Sequence, residues 1–359
     1  MVAERNSAVS MAKGLAIIMM VLAHAILSGY SWKFINMFHM PVFFFASGYC
    51  FKESYLSDLK MFVLKRIKGL YVPYIKYSLF FLACHNLFFH FNIYSDMYGG
   101  WAGGVSHVYG INEFFVRAVH IVTRMFDHEQ LLGGYWFLHA LLCASLLAYF
   151  CIRFLKKNII SIAALLFMSF LTSYLNFHIP IVGIGTKEFV AALIFLVAYL
   201  VKKNKLIERV GYWLVPVSVF VVAVGTFLWQ MDFLHIHYIK LVPWLLSALL
   251  GVMGCFKLCY LIGRFRPVSI FLSYVGDNTL PILTWHFLCF KVMSLYIVLH
   301  YDLPIQRLAE FPVVLEYNNI YWIGYLVVGV ALPLVINFAL GGLRKKISFK
   351  KRIYEKKGT

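Results

Sequence analysis

Long uninterrupted apolar runs dominate the sequence and constrain the fold more than any other feature. Hydrophobic residues make up 62% of the 359 residues and charged residues only 13%, whereas a soluble domain carries about 25% charged residues. A helix needs about 20 mostly apolar residues to cross roughly 30 Å of bilayer hydrocarbon. The runs also lack the apolar–polar alternation of membrane barrel strands. The pattern therefore predicts an all-α, polytopic bundle of transmembrane helices.

Ten runs qualify as predicted spans, and two further segments are predicted to be interfacial helices. The first is apolar residues 267–276, before the ninth span, and the second is the amphipathic stretch from Glu113 to Phe126 in the longest predicted outer loop, 93–134. A lid over an outer substrate is the alternative for the second. Residues 1–359 are expected to form one transmembrane domain without an attached soluble domain. The predicted spans are 12–29, 34–51, 70–92, 135–154, 158–174, 188–201, 210–230, 238–262, 279–299 and 320–342.

The distribution of basic residues orients the predicted bundle. The formal net charge is +18, with 33 Lys and Arg residues. If the N-terminus is cytoplasmic, most of them fall in predicted inner segments, including the 52–68 loop and the tail after 342. This agrees with the positive-inside rule and predicts that both termini are cytoplasmic. The charge then indicates contact with anionic membrane lipids, and no nucleic-acid partner is predicted.

Cysteine and histidine spacings predict no metal site. The cysteines lie in or at the ends of apolar runs and form no Cys-x-x-Cys pair, so we interpret them as packing residues. No His-x-x-x-His pair is present. The cysteines are Cys50, Cys84, Cys143, Cys151, Cys255, Cys259 and Cys289.

Lys13 and His24 stand out because ionisable groups inside a span are costly and are therefore candidates for function. They are 11 residues apart, which is three helical turns plus about 20°, so both lie on one face and about 16 Å apart along the axis. Lys13 is predicted near the cytoplasmic surface and His24 in the outer half. The alternatives are a snorkelling lysine and a packed, hydrogen-bonded histidine.

Other histidines fall at comparable positions in later spans. His39, His85 and His139 lie near the outer ends of the second, third and fourth spans, and His286 lies about eight residues into the ninth. The helices are therefore expected to bring several polar groups to one cavity.

Several motifs, in order along the chain, resemble the acyltransferase-3 family of membrane proteins. The first span carries Lys13-Gly14-Leu15-Ala16-Ile17 and Val21-Leu22-Ala23-His24. The second carries Phe38-His39-Met40-Pro41-Val42-Phe43-Phe44-Phe45-Ala46-Ser47-Gly48-Tyr49. Lys65-Arg66 with Pro73-Tyr74, Tyr135-Trp136-Phe137-Leu138, and Gly276-Asp277-Asn278-Thr279-Leu280 with His286 follow.

The resemblance implies an enzyme of the inner or plasma membrane that moves an acyl group, commonly acetyl, from cytoplasmic acyl-CoA to a hydroxyl of a cell-surface or lipid-linked glycan. Acyl-CoA would be a co-substrate rather than a bound cofactor. The family often has Arg at the position of Lys13, and commonly an Asp at the position of Ser10. Ser10 can cap the helix but supplies no charge for an ion pair there.

The resemblance also implies roles for individual residues. Lys13, Lys65 and Arg66 are expected to bind the CoA phosphates. His24 is expected to act as general base toward the acceptor hydroxyl, or to carry the acyl group covalently. Candidates for supporting roles are His39, Ser47, Trp136 and His286. The alternative function is transport of a polysaccharide or a lipid-linked sugar.

Overall fold

The structure is a computed structural model that describes residues 7–26, 28–98, 105, 107–155, 158–180 and 182–357, with side chains up to residue 340. Helices account for 80% of the chain, and the part described contains no strand. The predicted all-α class is confirmed. The helices are α1 Ser7–Ile26, α2 Gly29–Tyr49, α3 Leu59–Arg66, α4 Val72–Ala83, α5 His85–His90, α6 Ile111–Arg124, α7 Trp136–Phe150, α8 Asn158–Tyr174, α9 Thr186–Lys203, α10 Leu206–Arg209, α11 Leu214–Leu228, α12 Leu241–Ile262, α13 Arg266–Asp277, α14 Thr279–His300 and α15 Asn318–Lys357.

Five helical segments in the described residues are long and apolar enough to cross a membrane. They are Ser7–Ile26, Trp136–Leu155, Tyr238–Ile262, Thr279–His300 and Leu315–Leu340. Two shorter apolar helices, α8 and α11, coincide with predicted spans. The other three predicted spans fall on α2, α4 and α9, and the count of ten stays a prediction. The chain is a multi-pass membrane protein.

Helices α1 and α2 form the centre of the bundle. Helix α1 packs against α2, α12, α13, α14 and α15, and α2 packs against α9, α11 and α12. Three motif glycines permit the closest of these approaches. A Cβ atom on Gly14 would overlap the carbonyl oxygen of Leu272, and one on Gly276 would overlap that of Ser10. A Cβ on Gly48 would overlap the carbonyl oxygen of Phe195, which lies in α9.

The segment that connects the second and third predicted spans, 52–68, is largely helical. Helix α3 begins at Leu59, where the Asp58 carboxylate caps it by accepting a hydrogen bond of 2.8 Å from the Met61 backbone nitrogen. A π-helical turn, Ile67–Tyr71, then joins α3 to α4. Pro73 accounts for the wider turn, because it cannot donate to the carbonyl of Gly69 and its ring displaces that carbonyl.

The two segments predicted as extra helices are confirmed as helices. Residues 267–276 lie within α13, which packs along α1, and the amphipathic stretch corresponds to α6. Arg117 of α6 pairs with Glu113 at 3.0 Å, and His120 of α6 pairs with Asp127 at 2.6 Å. Arg124 lies exposed at the end of the helix.

Candidate active site

A cavity of about 570 Å³ lies between α1, α2, α7, α14 and the π-helical turn. The walls come from six separate parts of the chain, the sixth being Lys202 of α9, so the cavity exists only in the folded bundle. The lining residues are Val9, Ser10, Lys13, Ile17, Met20, Met40, Phe43, Ala46, Ser47, Cys50, Lys52, Gly69, Leu70, Phe137, Leu138, Leu141, Lys202, Thr279, Leu280 and Leu283.

One end of this cavity is strongly basic. Lys13, Lys52 and Lys202 line it there. A smaller pocket of about 200 Å³ shares Ser47 and Cys50 with the cavity and adds Lys65 and Arg66. Among the described residues, no acidic side chain lines either space. Five cations around two adjoining spaces are chemically suited to a polyanion such as a group of phosphates.

Arg66 is held in place by contacts on several sides. Its guanidinium donates a hydrogen bond of 3.1 Å to the Ser47 hydroxyl and lies over the rings of Phe62 and Phe195, at 5.0 and 5.7 Å from their centroids. Lys65 donates to the Tyr55 hydroxyl at 3.0 Å. Ser47 therefore positions Arg66 at the basic end of the cavity.

The opposite end of the cavity is apolar and ends one helical turn from two histidines. Met20 and Leu283 line that end. Four residues further along the same helices are His24 and Phe287, about 6 Å along each axis. Lys13 and His24 thus lie toward opposite ends of the cavity on α1, as the spacing predicted.

His24 stacks against His286, with ring centroids 5.5 Å apart, and it also contacts Phe287 at 4.8 Å. Nδ1 of His286 donates to the carbonyl oxygens of Ile282 and Leu283, at 3.0 and 3.1 Å. Its Nε2 is buried and has no hydrogen-bond partner among the described residues. With Nδ1 carrying the proton, Nε2 is left as an acceptor.

The predicted supporting residues differ in where they lie relative to His24 and the cavity. His286 and His39 both lie within electrostatic range of His24, and Nδ1 of His39 donates to the Ile35 carbonyl at 2.9 Å. Trp136 is not among the residues that line the cavity; it stacks on Phe233 near Lys187. The following residues of α7, Phe137 and Leu138, line the cavity instead.

Two other predicted histidines lie away from this cluster. His85 is buried and pairs with the Glu129 carboxylate at 2.9 Å. His139 lies 3.6 Å from Glu188, the carboxylate that caps α9 through the Gly185 nitrogen. These pairs fix the connections before α7 and before α9 rather than joining the cavity. No group of residues suited to a metal ion was found in the part of the chain described here.

Position 10 carries Ser instead of the Asp that is common in similar sequences, but a carboxylate from another helix lies beside it. The Ser10 hydroxyl donates a hydrogen bond of 2.9 Å to the carboxylate of Asp277, the last residue of α13. An acidic group therefore lies beside the first turns of α1 even though the α1 sequence has none there.

Comparison with known families decides the assignment. Residues 6–338 match the family model described as an acyltransferase domain, of the acyltransferase-3 type. The chain belongs to the acyltransferase-3 family. No curated protein and no solved structure matches it. Family membership supports a membrane acyltransferase function, and the match includes both histidines and the basic end of the cavity.

Two basic residues that line the cavity of this acyltransferase were not predicted as site residues from the sequence. Lys52 and Lys202 were counted only as orienting charges, yet both line the cavity. Lys202 follows from the packing of α9 on α2: its ammonium group donates to the Phe51 carbonyl at 3.5 Å and lies 5.8 Å from the Tyr49 ring centroid. No spacing in the sequence connects Lys202 with Lys13.

Proposed function

We propose that this protein transfers an acyl group, in the first instance acetyl, from cytoplasmic acyl-CoA to a hydroxyl of a cell-surface or lipid-linked glycan. It would act in the inner or plasma membrane, with both termini cytoplasmic. The CoA phosphates bind Lys13, Lys52 and Lys202, together with Lys65 and Arg66 in the smaller pocket. The pantetheine arm lies along the apolar cavity, and the thioester is directed toward His24.

The observation that carries this proposal is the polarity of the larger cavity. Its basic end suits phosphates, its middle suits an apolar arm, and its far end points to a pair of stacked histidines. CoA has the same order of chemical groups from its nucleotide to its thioester. The distance of about 16 Å along α1 between Lys13 and His24 requires an extended donor.

In the reaction, His24 accepts the proton of the acceptor hydroxyl. The hydroxyl oxygen forms a bond to the thioester carbonyl carbon, and the carbon–sulfur bond breaks. CoA leaves as the thiolate and takes the proton back from His24. His286 and His39 orient the His24 ring, and the basic end holds the leaving CoA.

The test is release of the CoA thiol by purified protein supplied with acetyl-CoA and glycan prepared from a strain that lacks this gene. His24→Ala and His24→Gln are expected to lose about 10²–10⁴-fold in turnover, while folded yield and acetyl-CoA binding are retained. A well-folded His24→Gln protein with near-normal turnover would show that His24 only packs.

Transport of a glycan or lipid-linked sugar is the competing function. Membership of the acyltransferase-3 family favours the enzyme. The same assay separates the two, because a transporter releases no thiol from acetyl-CoA.

A further inference from the structure

A thin layer of side chains separates the cavity from His24. Met20 and Leu283 line the apolar end, and both are almost fully buried, at 3% and 7% exposure. The next residues on the same helix faces are His24 and Phe287, one turn beyond. A thioester carbonyl lying in the cavity is therefore expected to pass these two side chains to reach the histidine.

The two members of this layer differ in freedom. The backbone carbonyl of Leu283 accepts a hydrogen bond of 3.1 Å from His286, and the Leu283 side chain lies against Gly134. Leu283 is thus tied to the histidine and to the start of α7. Met20 has an unbranched side chain with three rotatable bonds, so it can move without a change in the backbone.

We propose that Met20, against the fixed Leu283, limits the length of the acyl group that reaches His24. This inference rests on the proposed acyl transfer and adds its selectivity for short chains. An acetyl thioester passes when the Met20 side chain rotates aside, whereas each further methylene must also fit among the buried side chains that line the same cavity, Met40 and Phe43 among them.

The size of the effect follows from the general behaviour of tight apolar sites. One methylene too many or too few changes kcat/KM by about 10–200-fold. Butyryl-CoA is two methylenes longer than acetyl-CoA, so the wild-type protein should discriminate strongly against it. Met20→Ala is expected to raise the ratio of kcat/KM for butyryl-CoA to that for acetyl-CoA by at least about tenfold.

The experiment measures thiol release from acetyl-CoA and butyryl-CoA with the same glycan acceptor, in wild-type, Met20→Ala and Met19→Ala proteins. Met19 is the neighbouring methionine, also packed against the core but not in the cavity lining. The ratio of two donors in one preparation does not depend on the fraction that is folded. Met19→Ala is expected to leave this ratio within about twofold of wild type.

A larger side chain at position 20 provides the opposite test. Met20→Phe is expected to lower acetyl transfer at least about tenfold. Acetyl-CoA binding should change little, because Lys13 lies about 10 Å from position 20 along the helix. An unchanged donor ratio in Met20→Ala, or an equal change in Met19→Ala, would overturn the role of Met20. Absence of acetyl transfer in the wild-type protein would instead refute the proposed function itself.

Discussion

Two adjacent lysines at the end of α9 provide a sharp test of the basic end of the cavity. Lys202 lines the cavity, whereas Lys203 pairs with the exposed Glu53 at 3.0 Å. A hydrogen bond to a charged group is worth about 1.5–3 kcal/mol, and about 1.4 kcal/mol corresponds to a factor of ten in affinity. Lys202→Ala is therefore expected to weaken acetyl-CoA binding about tenfold to a hundredfold.

Lys203→Ala is the matched control, since it removes the same charge one residue away. The Lys203 ammonium group pairs with the exposed Glu53 and does not line the cavity, so donor affinity should stay within about threefold of wild type. The assay is equilibrium binding of radiolabelled acetyl-CoA to purified protein at low and high salt. The salt dependence should decrease in Lys202→Ala, because one phosphate contact is lost. Equal weakening by both substitutions would mean that only general surface charge attracts the donor.

Three further predictions follow from the site and the topology. Lys13→Ala and Arg66→Ala are each expected to raise the Kd for acetyl-CoA about tenfold to a hundredfold, with little change in turnover at saturation; unchanged Kd values would remove both residues from the donor site. Met97, which is 74% exposed in the predicted outer loop, should be labelled from outside as Met97→Cys and Lys203→Cys should not; the reverse pattern would invert the topology. Acidification from pH 7 to 5 is expected to lower the free energy of unfolding by about 2 kcal/mol through His128. The His128→Gln variant, measured by thermal unfolding at the two pH values, should not show this loss.

The sign of the His128 effect follows from its surroundings. His128 lies in the connection between α6 and α7, where Nδ1 is 3.3 Å from the Tyr74 hydroxyl. Burial by the surrounding protein, reinforced by Lys187, lowers its pKa to about 4 from the ordinary 6.5. The unfolded chain therefore binds a proton between these values that the folded chain does not, so stability is full above about pH 6.5 and falls below it. A pH-independent melting temperature over this range would contradict the assignment.

Most helices could be predicted because apolar runs leave few alternatives in a bilayer. The helix before α4 was not predicted, because Lys60, Lys65 and Arg66 were interpreted only as basic residues of a cytoplasmic loop. Lysine and arginine are also good helix formers, and Asp58 stands at the position of a helix N-cap. A search for caps inside charged segments would have located the start of α3.

The candidate site residues could be predicted from the sequence where they share one helix. The shared face of Lys13 and His24 is a property of α1 alone, and the family motif pointed to His286. The position of Lys202 depends on the packing of α9 on α2, and the partnership of Ser47 with Arg66 joins α2 to the end of α3. Such relations need the tertiary structure, because no sequence period links residues on different helices.

The glycine contact between α1 and α13 has a consequence for which parts of the protein we expect to move. The backbones of Gly14 and Gly276 touch without intervening side chains, and the Ser10–Asp277 hydrogen bond lies beside them. Because α13 leads directly into α14, this junction couples the helix of His24 to the helix of His286. We therefore expect the two histidines to move together. An opening that admits a donor or releases a product is then expected at the opposite wall, where α2, α7 and α9 carry the remaining surface of the cavity.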